Sequence, residues 1–249
     1  MNLDGGPRRG FFLTLEGPEG SGKSTQARRL ADRLTASGLT CVVTREPGGT
    51  ALGEAVRRIL LHAPEPSPVP AADALLFNAA RAQLAAEVIE PALERGEVVI
   101  CDRFGDSTLA YQGFGAGQPL EALRSLAHFA VGDLHPDLTV LIDLPAEEGL
   151  ARKQADEVTR FEERADLEFH RRVRDGFLAL AAAEPDRFVI VDGRQTVEAI
   201  EAAVFEALRP RLGSGHPDGQ VPARTVAVAP DAPPLHSSEP ERNPLRMDR

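Results

Sequence analysis

The strongest chemical signal in the sequence is a glycine-rich stretch near its beginning, called here the phosphate loop. Residues 17–24 read G-P-E-G-S-G-K-S, which fits the pattern G-x-x-x-x-G-K-[ST] between an apolar strand-like run and a helical pattern. In that pattern, backbone N–H groups surround phosphate oxygens, Lys23 bridges the β- and γ-phosphates, and the Ser24 hydroxyl coordinates Mg²⁺. We therefore expect a nucleoside triphosphate to bind here. The predicted binding residues are Gly17, Pro18, Glu19, Gly20, Ser21, Gly22, Lys23, Ser24 and Thr25.

Five short apolar runs alternate with longer helical patterns along the chain. They predict strands at 11–16, 40–44, 97–101, 138–144 and 187–191. Because these runs are apolar throughout, they are expected to be buried on both faces, as the strands of a doubly wound sheet are. The predicted fold class is α/β, with a five-stranded parallel sheet flanked by helices.

The remaining patterns divide the chain into one domain and two ends. A short flexible N-terminus at 1–10 precedes the domain at 11–212, in which a long helical pattern over 71–95 contains Pro91 and is expected to kink there. From residue 213 onward, proline, glycine, serine and charged residues replace the periodic apolar ones. We predict a disordered tail at 213–249.

Composition narrows the possible partners. The formal net charge is −10, from 28 basic and 38 acidic residues. An acidic protein does not attract nucleic acid or an anionic membrane surface, so neither is expected as a partner. The cysteines, Cys41 and Cys101, lie in predicted strands and indicate a structural role. The sequence has no signal-peptide pattern and no apolar stretch long enough to span a bilayer, which predicts a cytoplasmic location.

A second candidate site follows the third predicted strand, at Asp102 and Arg103. The carboxyl ends of parallel strands line the ligand crevice, so Asp102 is expected to hold Mg²⁺ or its water, and Arg103 to meet an anionic substrate. A surface ion pair at the strand end is the alternative. The stretch D-R-F-G at 102–105 also fits part of a GTPase pattern. GTPases also need a later N-K-x-D motif. The two lysines of the sequence are Lys23 and Lys153, and neither follows an asparagine, so this class is excluded.

Three motifs in the order found here resemble the thymidylate kinase family. They are the phosphate loop, R-E-P-G-G-T at 45–50, and D-R, S-T and Y-Q-G within 102–113. The resemblance covers roughly residues 11–212. It implies a P-loop nucleotide kinase that uses Mg·ATP to phosphorylate dTMP to dTDP for dTTP synthesis, as a homodimer. Another nucleoside monophosphate or deoxynucleoside kinase is the nearest alternative, and a P-loop regulatory ATPase is a more distant one.

The resemblance also implies which residues bind the thymidine part of dTMP. Phe77 stacks on the base, and Arg81, one helical turn later, donates to a carbonyl oxygen. Thr108 and Gln112 contact the base edge, and Tyr111 closes over the sugar and crowds a ribose 2′-hydroxyl. Without the resemblance, Phe77 is expected to be a core residue and Tyr111 a half-buried packing residue with its hydroxyl in water.

Glu19 and three arginines are the implied contacts of the rest of dTMP. Glu19 contacts the 3′-hydroxyl, while Arg45, Arg57 and Arg103 meet the acceptor phosphate, which suits bidentate guanidinium geometry. The choice of Arg57 stays open at this point, because Arg58 lies beside it and either could be a solvated helix residue.

A short mobile lid at about 150–162 is the last implied feature. Family members carry a catalytic cation in the phosphate loop or in the lid, and this phosphate loop contains no arginine. The resemblance therefore assigns the cation to the lid, with Arg152 as the candidate, also contacting ATP, and Lys153 and Arg160 in support. Thr159 stands where many lids carry Asp, and a plain charged helix is the alternative. The predicted catalytic residues are Lys23, Asp102, Arg103 and Arg152.

Overall fold

A parallel sheet forms the centre of the computed structural model, which describes residues 10–62, 68–152, 166–212 and 227–228. The strands run in the order β5-β4-β1-β3-β2, and every neighbouring pair is parallel. The predicted α/β class and five-stranded parallel sheet are confirmed. The strands are β1 (Phe11–Glu16), β2 (Cys41–Arg45), β3 (Val98–Asp102), β4 (Leu138–Asp143) and β5 (Phe188–Asp192).

A sixth, very short strand lies at the β2 edge of the sheet. Strand β6 (Ala227–Val228) pairs in parallel with β2, opposite Val42 and Val43. No strand is predicted here, because an apolar run of this length has no readable periodicity. The rest of the predicted tail at 213–249 lies outside the described residues, and so does the predicted N-terminus apart from Gly10.

Helices cover both faces of the sheet. Two of them begin with side-chain caps, since Asp166 accepts a 2.8 Å hydrogen bond from the backbone N–H of Phe169, and Thr196 a 3.2 Å bond from that of Ala199. Within the described residues, no helix is both long and apolar enough to cross a bilayer. The helices are α1 (Lys23–Ala36), α2 (Ala51–His62), α3 (Pro70–Leu84), α4 (Glu90–Glu94), α5 (Gly105–Thr108), α6 (Leu120–Val131), α7 (Ala146–Arg152), α8 (Leu167–Ala183) and α9 (Val197–Leu208).

Two π-helical segments interrupt regular helical structure. Where the sequence predicts a kink, α3 passes through a π-helical turn, Ala85–Ile89, into α4. Pro91, the second residue of α4, has no N–H to bond the carbonyl four residues earlier, which explains the disturbed hydrogen bonding. The second segment, Leu109–Gly115, extends α5 and carries Tyr111. Such segments often occur at functional sites.

The core holds β1 rigidly between two helical layers. On one face Leu13 packs with Leu30 of α1 and Val204 of α9, and on the other Phe12 packs with Leu93 of α4. Alternate residues of a strand point to opposite faces, so this central strand is buried on both. The loop at its carboxyl end therefore starts from a fixed point.

Candidate active site

The phosphate loop connects β1 to α1 and depends on glycine at two positions. Gly22 has φ 90° and immediately precedes Lys23, the first residue of α1. Gly20 has φ 67°, and a Cβ atom there would lie 2.1 Å from the carbonyl oxygen of Gly149 in α7. The loop thus packs backbone to backbone against α7, and its N–H groups sit at the N-terminal end of α1, where anions bind.

Lys23 is buried and folded back over the loop. Its Nζ donates to the carbonyl oxygen of Pro18 at 2.8 Å and to Ser21 Oγ at 3.1 Å. Burial, together with the nearby Arg103 charge, lowers the pKa of Lys23 to about 8. A phosphate group in the loop would stabilise the charged form of Lys23 and raise its pKa again.

Ser24 and Asp102, the two residues predicted to hold Mg²⁺, are in direct contact. Asp102 ends β3, and the Ser24 hydroxyl donates a short hydrogen bond to its Oδ2 atom. Hydroxyl and carboxylate oxygens are the hard ligands that Mg²⁺ prefers, and Mg²⁺ bound with nucleotides uses only one or two protein ligands. No group of three or more His, Cys, Asp or Glu residues suited to a metal occurs among the described residues. As a hydroxyl and a carboxylate, Ser24 and Asp102 are suitable ligands for a phosphate-bound Mg²⁺.

Arg103 connects the phosphate loop to the opposite wall of the crevice. Its backbone has φ 72°, which is uncommon for a residue other than glycine. The guanidinium donates to the Gly17 carbonyl oxygen at 3.1 Å, to Glu19 Oε1 at 2.9 Å and to the Tyr111 hydroxyl at 3.1 Å. Burial opposes its charge, but the contacts with Tyr111 and Glu19 outweigh burial and raise the pKa of Arg103.

Tyr111 and Glu19 meet directly. The Tyr111 hydroxyl donates to Glu19 Oε1 at 2.7 Å, and its ring lies edge-on to Phe169 and Phe177 of α8, with centroids 6.3 and 6.1 Å away. Burial raises the pKa of Tyr111. The expectation of a hydroxyl left in water is therefore wrong, because this hydroxyl lies between a carboxylate and the Arg103 guanidinium.

Glu16 is a site residue that sequence reasoning missed. It ends β1, is fully buried, and accepts hydrogen bonds from the Phe104 N–H at 2.7 Å and the Ser107 hydroxyl at 2.6 Å. Burial, with a contribution from Asp106, raises its pKa to about 8. Glu16 thereby holds the turn that carries Arg103. The available signal was an acid at the end of an otherwise apolar strand.

Two of the predicted base-binding residues, Arg81 and Thr108, are in direct contact. Arg81 is 1% exposed and donates to the Thr108 hydroxyl at 2.9 Å and to Glu46 Oε2 at 2.9 Å. Burial raises the pKa of Glu46, and the Arg81 charge opposes that rise. Gln112 is buried, whereas Phe77 is half-buried and packs against the cluster of Val56, Leu60 and Ala80. Both expectations for Phe77, a base contact and a packing residue, are compatible with this position.

Two predicted phosphate-binding arginines lie beside the β2–α2 loop. Arg45 donates to Glu54 Oε1 at 3.0 Å, and Arg57 donates to the Pro47 carbonyl oxygen at 2.9 Å, while Arg58 is exposed. Of the two neighbouring arginines, Arg57 is therefore the one turned inward. Burial lowers the pKa of Arg57, and the charges of Arg45 and then Arg103 lower it further. Such a group of like charges suits an anionic ligand.

The predicted lid is described only at its beginning. Arg152, the last residue of α7, donates to the Gly193 carbonyl oxygen at 2.9 Å in the turn after β5. In this conformation, Arg152 contacts that turn rather than the groups around Lys23. Lys153 and Arg160 lie outside the described residues, as does most of the predicted segment.

Comparisons with known proteins give one consistent result. A family model described as Thymidylate kinase matches residues 15–204. A thymidylate kinase from Synechococcus sp. (strain JA-3-3Ab) is 52% identical over 202 residues, which cover 81% of this chain and 97% of the relative. One from Deinococcus radiodurans is 51% identical over 203 residues, covering 82% and 98%. The crystal structure of thymidylate kinase from Ehrlichia chaffeensis is 35% identical, covers 80% of this chain and 99% of its own, and superimposes with a TM-score of 0.65.

Proposed function

This chain belongs to the thymidylate kinase family, and from that membership we propose a residue-level account of its reaction. The enzyme transfers the γ-phosphoryl group of ATP to dTMP and forms dTDP for dTTP synthesis. The roles of individual residues, the metal ion and the oligomeric state are parts of the proposal.

The position of Arg103 is the observation that carries the account. One guanidinium donates both to the phosphate loop, at Gly17, and to the acid and tyrosine assigned to the acceptor, Glu19 and Tyr111. A charge at that point lies between the donor and acceptor halves of the crevice. This arrangement supports phosphoryl transfer between two bound nucleotides over ATP hydrolysis that drives a conformational change.

The chemistry requires positioning and charge neutralisation, with no general base. The attacking group is a phosphate oxygen of dTMP, already an anion, and it approaches the γ-phosphorus in line with the leaving oxygen. Lys23 neutralises charge on the β- and γ-phosphates. Arg45, Arg57 and Arg103 hold the acceptor phosphate and reduce repulsion between the two anions.

Ser24 and Asp102 are the residues that would hold Mg²⁺, Ser24 by its hydroxyl and Asp102 by its carboxylate, directly or through water. When bound, Mg²⁺ supplies charge neutralisation at the β- and γ-phosphate oxygens. The contact between Ser24 and Asp102 supports this assignment, because it brings both ligands to one side of the phosphate loop.

The thymidine part of dTMP lies against α3 and the π-helical segment. In this account Phe77 stacks on the base, and Arg81, Thr108 and Gln112 contact its edge. Tyr111 covers the sugar, which leaves little room for a 2′-hydroxyl and favours deoxyribonucleotides. For the lid, we keep Arg152 as the candidate cation, which must leave Gly193 to reach the transferred phosphoryl group.

Transfer of labelled γ-phosphate from ATP tests the account. With each monophosphate offered in turn, label should appear in dTDP in preference to other products. Preference for a purine monophosphate would contradict the assignment of Phe77 and Arg81, and label released as inorganic phosphate at the same rate without dTMP would indicate a regulatory ATPase. Replacement of Lys23 should remove transfer, whereas replacement of exposed Arg58 should not.

A homodimer is the proposed oligomeric state, and a cytoplasmic location remains a prediction. Helix α3 packs between α2 and α6, and these helices expose large apolar side chains: Leu52 and Ile59 on α2, Leu75 on α3 and Phe129 on α6. An outer layer of this kind is suited to a second copy of the chain. Sedimentation equilibrium should give twice the monomer mass, and a monomer at micromolar concentration would contradict the proposal.

A further inference from the structure

The guanidinium of Arg81 is held by a set of partners that leaves it little freedom. Its Nε donates to Glu46 Oε2 at 2.9 Å, and its Nη2 lies 2.8 Å from the same oxygen. Nη2 also donates to the Phe104 carbonyl oxygen at 3.1 Å and to Thr108 Oγ1 at 2.9 Å, while Nη1 donates to Asn78 Oδ1 at 3.0 Å. These partners come from three different parts of the chain.

One N–H group of the Arg81 guanidinium remains for a ligand. A guanidinium carries five N–H groups. Glu46 takes the one on Nε. Glu46, Phe104 and Thr108 share the two on Nη2, and Asn78 takes one of the two on Nη1. Among the described residues, the second N–H of Nη1 is the donor left over. Its direction is fixed by the other four.

Glu46 is the ionic member of this set and is itself firmly placed. Its side chain is 4% exposed and that of Arg81 is 1% exposed. Among the described residues, Glu46 is the acid that pairs with Arg81. The Glu46 backbone N–H donates to the Asp102 carbonyl oxygen at 2.9 Å, which extends the pairing of β2 with β3 by one residue. Removing one member of a buried pair leaves the other charge uncompensated. The orientation of Arg81 therefore depends on Glu46.

Glu46 lies in a loop that reaches both the phosphate end and the base end of the acceptor site. It directly follows Arg45, which is assigned to the acceptor phosphate. Consecutive residues of an extended chain point in opposite directions. One loop can thus place Arg45 toward the phosphate and Glu46 toward the base pocket.

We propose that Glu46 is a positioning residue for base selection, which holds Arg81 so that its remaining Nη1 N–H meets a carbonyl oxygen of the pyrimidine. Glu46 does not touch the nucleotide and acts through Arg81. This inference rests on the proposed dTMP kinase function, whose failure the same measurements detect separately.

Glu46→Gln tests the proposal, with Glu201→Gln as the matched control. Glu201 also pairs with an arginine, Arg29 at 2.6 Å, but on α9, outside the base pocket. For Glu46→Gln we expect KM for dTMP to rise about tenfold or more, as for loss of a hydrogen bond to a charged group, with kcat changed far less. Glu201→Gln should leave both constants unchanged.

Base discrimination separates a positioning role from a structural one. 4-Thio-dTMP weakens the 4-carbonyl as an acceptor, and 2-thio-dTMP weakens the 2-carbonyl. The analogue that the wild type rejects identifies the carbonyl that Arg81 reads, and Glu46→Gln should narrow that discrimination. A merely structural role would lower the melting temperature and leave the ratio of kcat/KM values intact. If Glu46→Gln fails to fold, Glu46→Asp, which keeps the charge on a shorter side chain, should show the same loss to a smaller degree.

A double-mutant cycle decides whether Glu46 acts through Arg81. In an Arg81→Gln background, Glu46→Gln should add no further rise in KM, because the group that it positions is already gone. Additive effects, or wild-type KM and discrimination in the single variant, would overturn the proposal. A wild type that does not phosphorylate dTMP would instead overturn the proposed function.

Discussion

Replacing Lys23 by methionine is predicted to stabilise the nucleotide-free protein while destroying its activity. Burial lowers the pKa of Lys23 from 10.5 to about 8, so its charge opposes folding by about 3 kcal/mol at neutral pH. Methionine has a similar volume but loses the Nζ hydrogen bonds to Pro18 and Ser21, at about 1 kcal/mol each. The expected net gain in the free energy of unfolding at pH 7 is about 1 kcal/mol.

The pH dependence gives the sharper form of this prediction. Between pH 8 and 10.5 the unfolded chain holds the Lys23 proton and the folded protein has released it, so wild-type stability rises with pH relative to the variant. The penalty of about 3 kcal/mol disappears across this window, and the wild type should become the more stable protein by about 2 kcal/mol near pH 10.5. The two curves are expected to cross near pH 9.

Urea denaturation at several pH values, without nucleotide, measures both effects. ATP at about 100 times its Kd should stabilise the wild type by about 2.7 kcal/mol and the variant much less, and kcat should fall about 10²–10³-fold. Arg58→Met, at an exposed position on α2, is the control and should change neither stability nor turnover. A variant less stable than the wild type at pH 7, with a difference independent of pH, would refute the reasoning.

Three further substitutions test other parts of the site. Ser24→Ala should raise the Mg²⁺ concentration for half-maximal activity about tenfold or more, and an unchanged Mg²⁺ titration would argue against Ser24 as a ligand. Tyr111→Phe removes a hydroxyl bonded to two charged groups, so we expect the melting temperature to fall by roughly 4–8 °C and the preference for dTMP over its ribonucleotide to weaken. An unaltered preference would show that Tyr111 plays no part in sugar selection. Gly20→Ala should weaken ATP binding and destabilise the protein more than Gly38→Ala does, as measured by calorimetry. Both positions have positive φ, but only at Gly20 would a Cβ atom contact a neighbour, Gly149. Equal losses would show that the contact is unimportant.

Much of the fold was readable from the sequence because the sheet is buried on both faces. Strand β1 is apolar apart from Thr14 and Glu16, and its bounds match the predicted 11–16. The boundaries of β2 and β3 each differ from the prediction by one residue, since their last residues, Arg45 and Asp102, are polar and fall outside an apolar pattern. Strand β6 was missed, because two residues carry no periodic signal.

The contacts that organise the site were not readable in the same way. Glu46 reaches Arg81 across 35 positions and Glu16 reaches Phe104 across 88, and no local pattern encodes such pairs. The Arg57 side chain likewise points inward because it donates to the Pro47 carbonyl oxygen. The sequence around Arg57 on its helix does not predict that contact. Motifs supplied the candidate residues of the site, whereas the partner of each charged side chain could be identified only from the three-dimensional structure.

The glycine pair between the phosphate loop and α7 limits how this enzyme can be redesigned. A Cβ at Gly20 would lie 2.1 Å from the Gly149 carbonyl oxygen, and a Cβ at Gly149 would lie 2.1 Å from that of Glu19. An engineer who wished to transplant a catalytic arginine into the loop at position 20 would first have to move α7 outward. Because Arg152 is the last residue of α7, the same displacement would carry the lid's own candidate cation away. At position 20, a loop arginine and the present placement of Arg152 therefore compete for the same arrangement of α7.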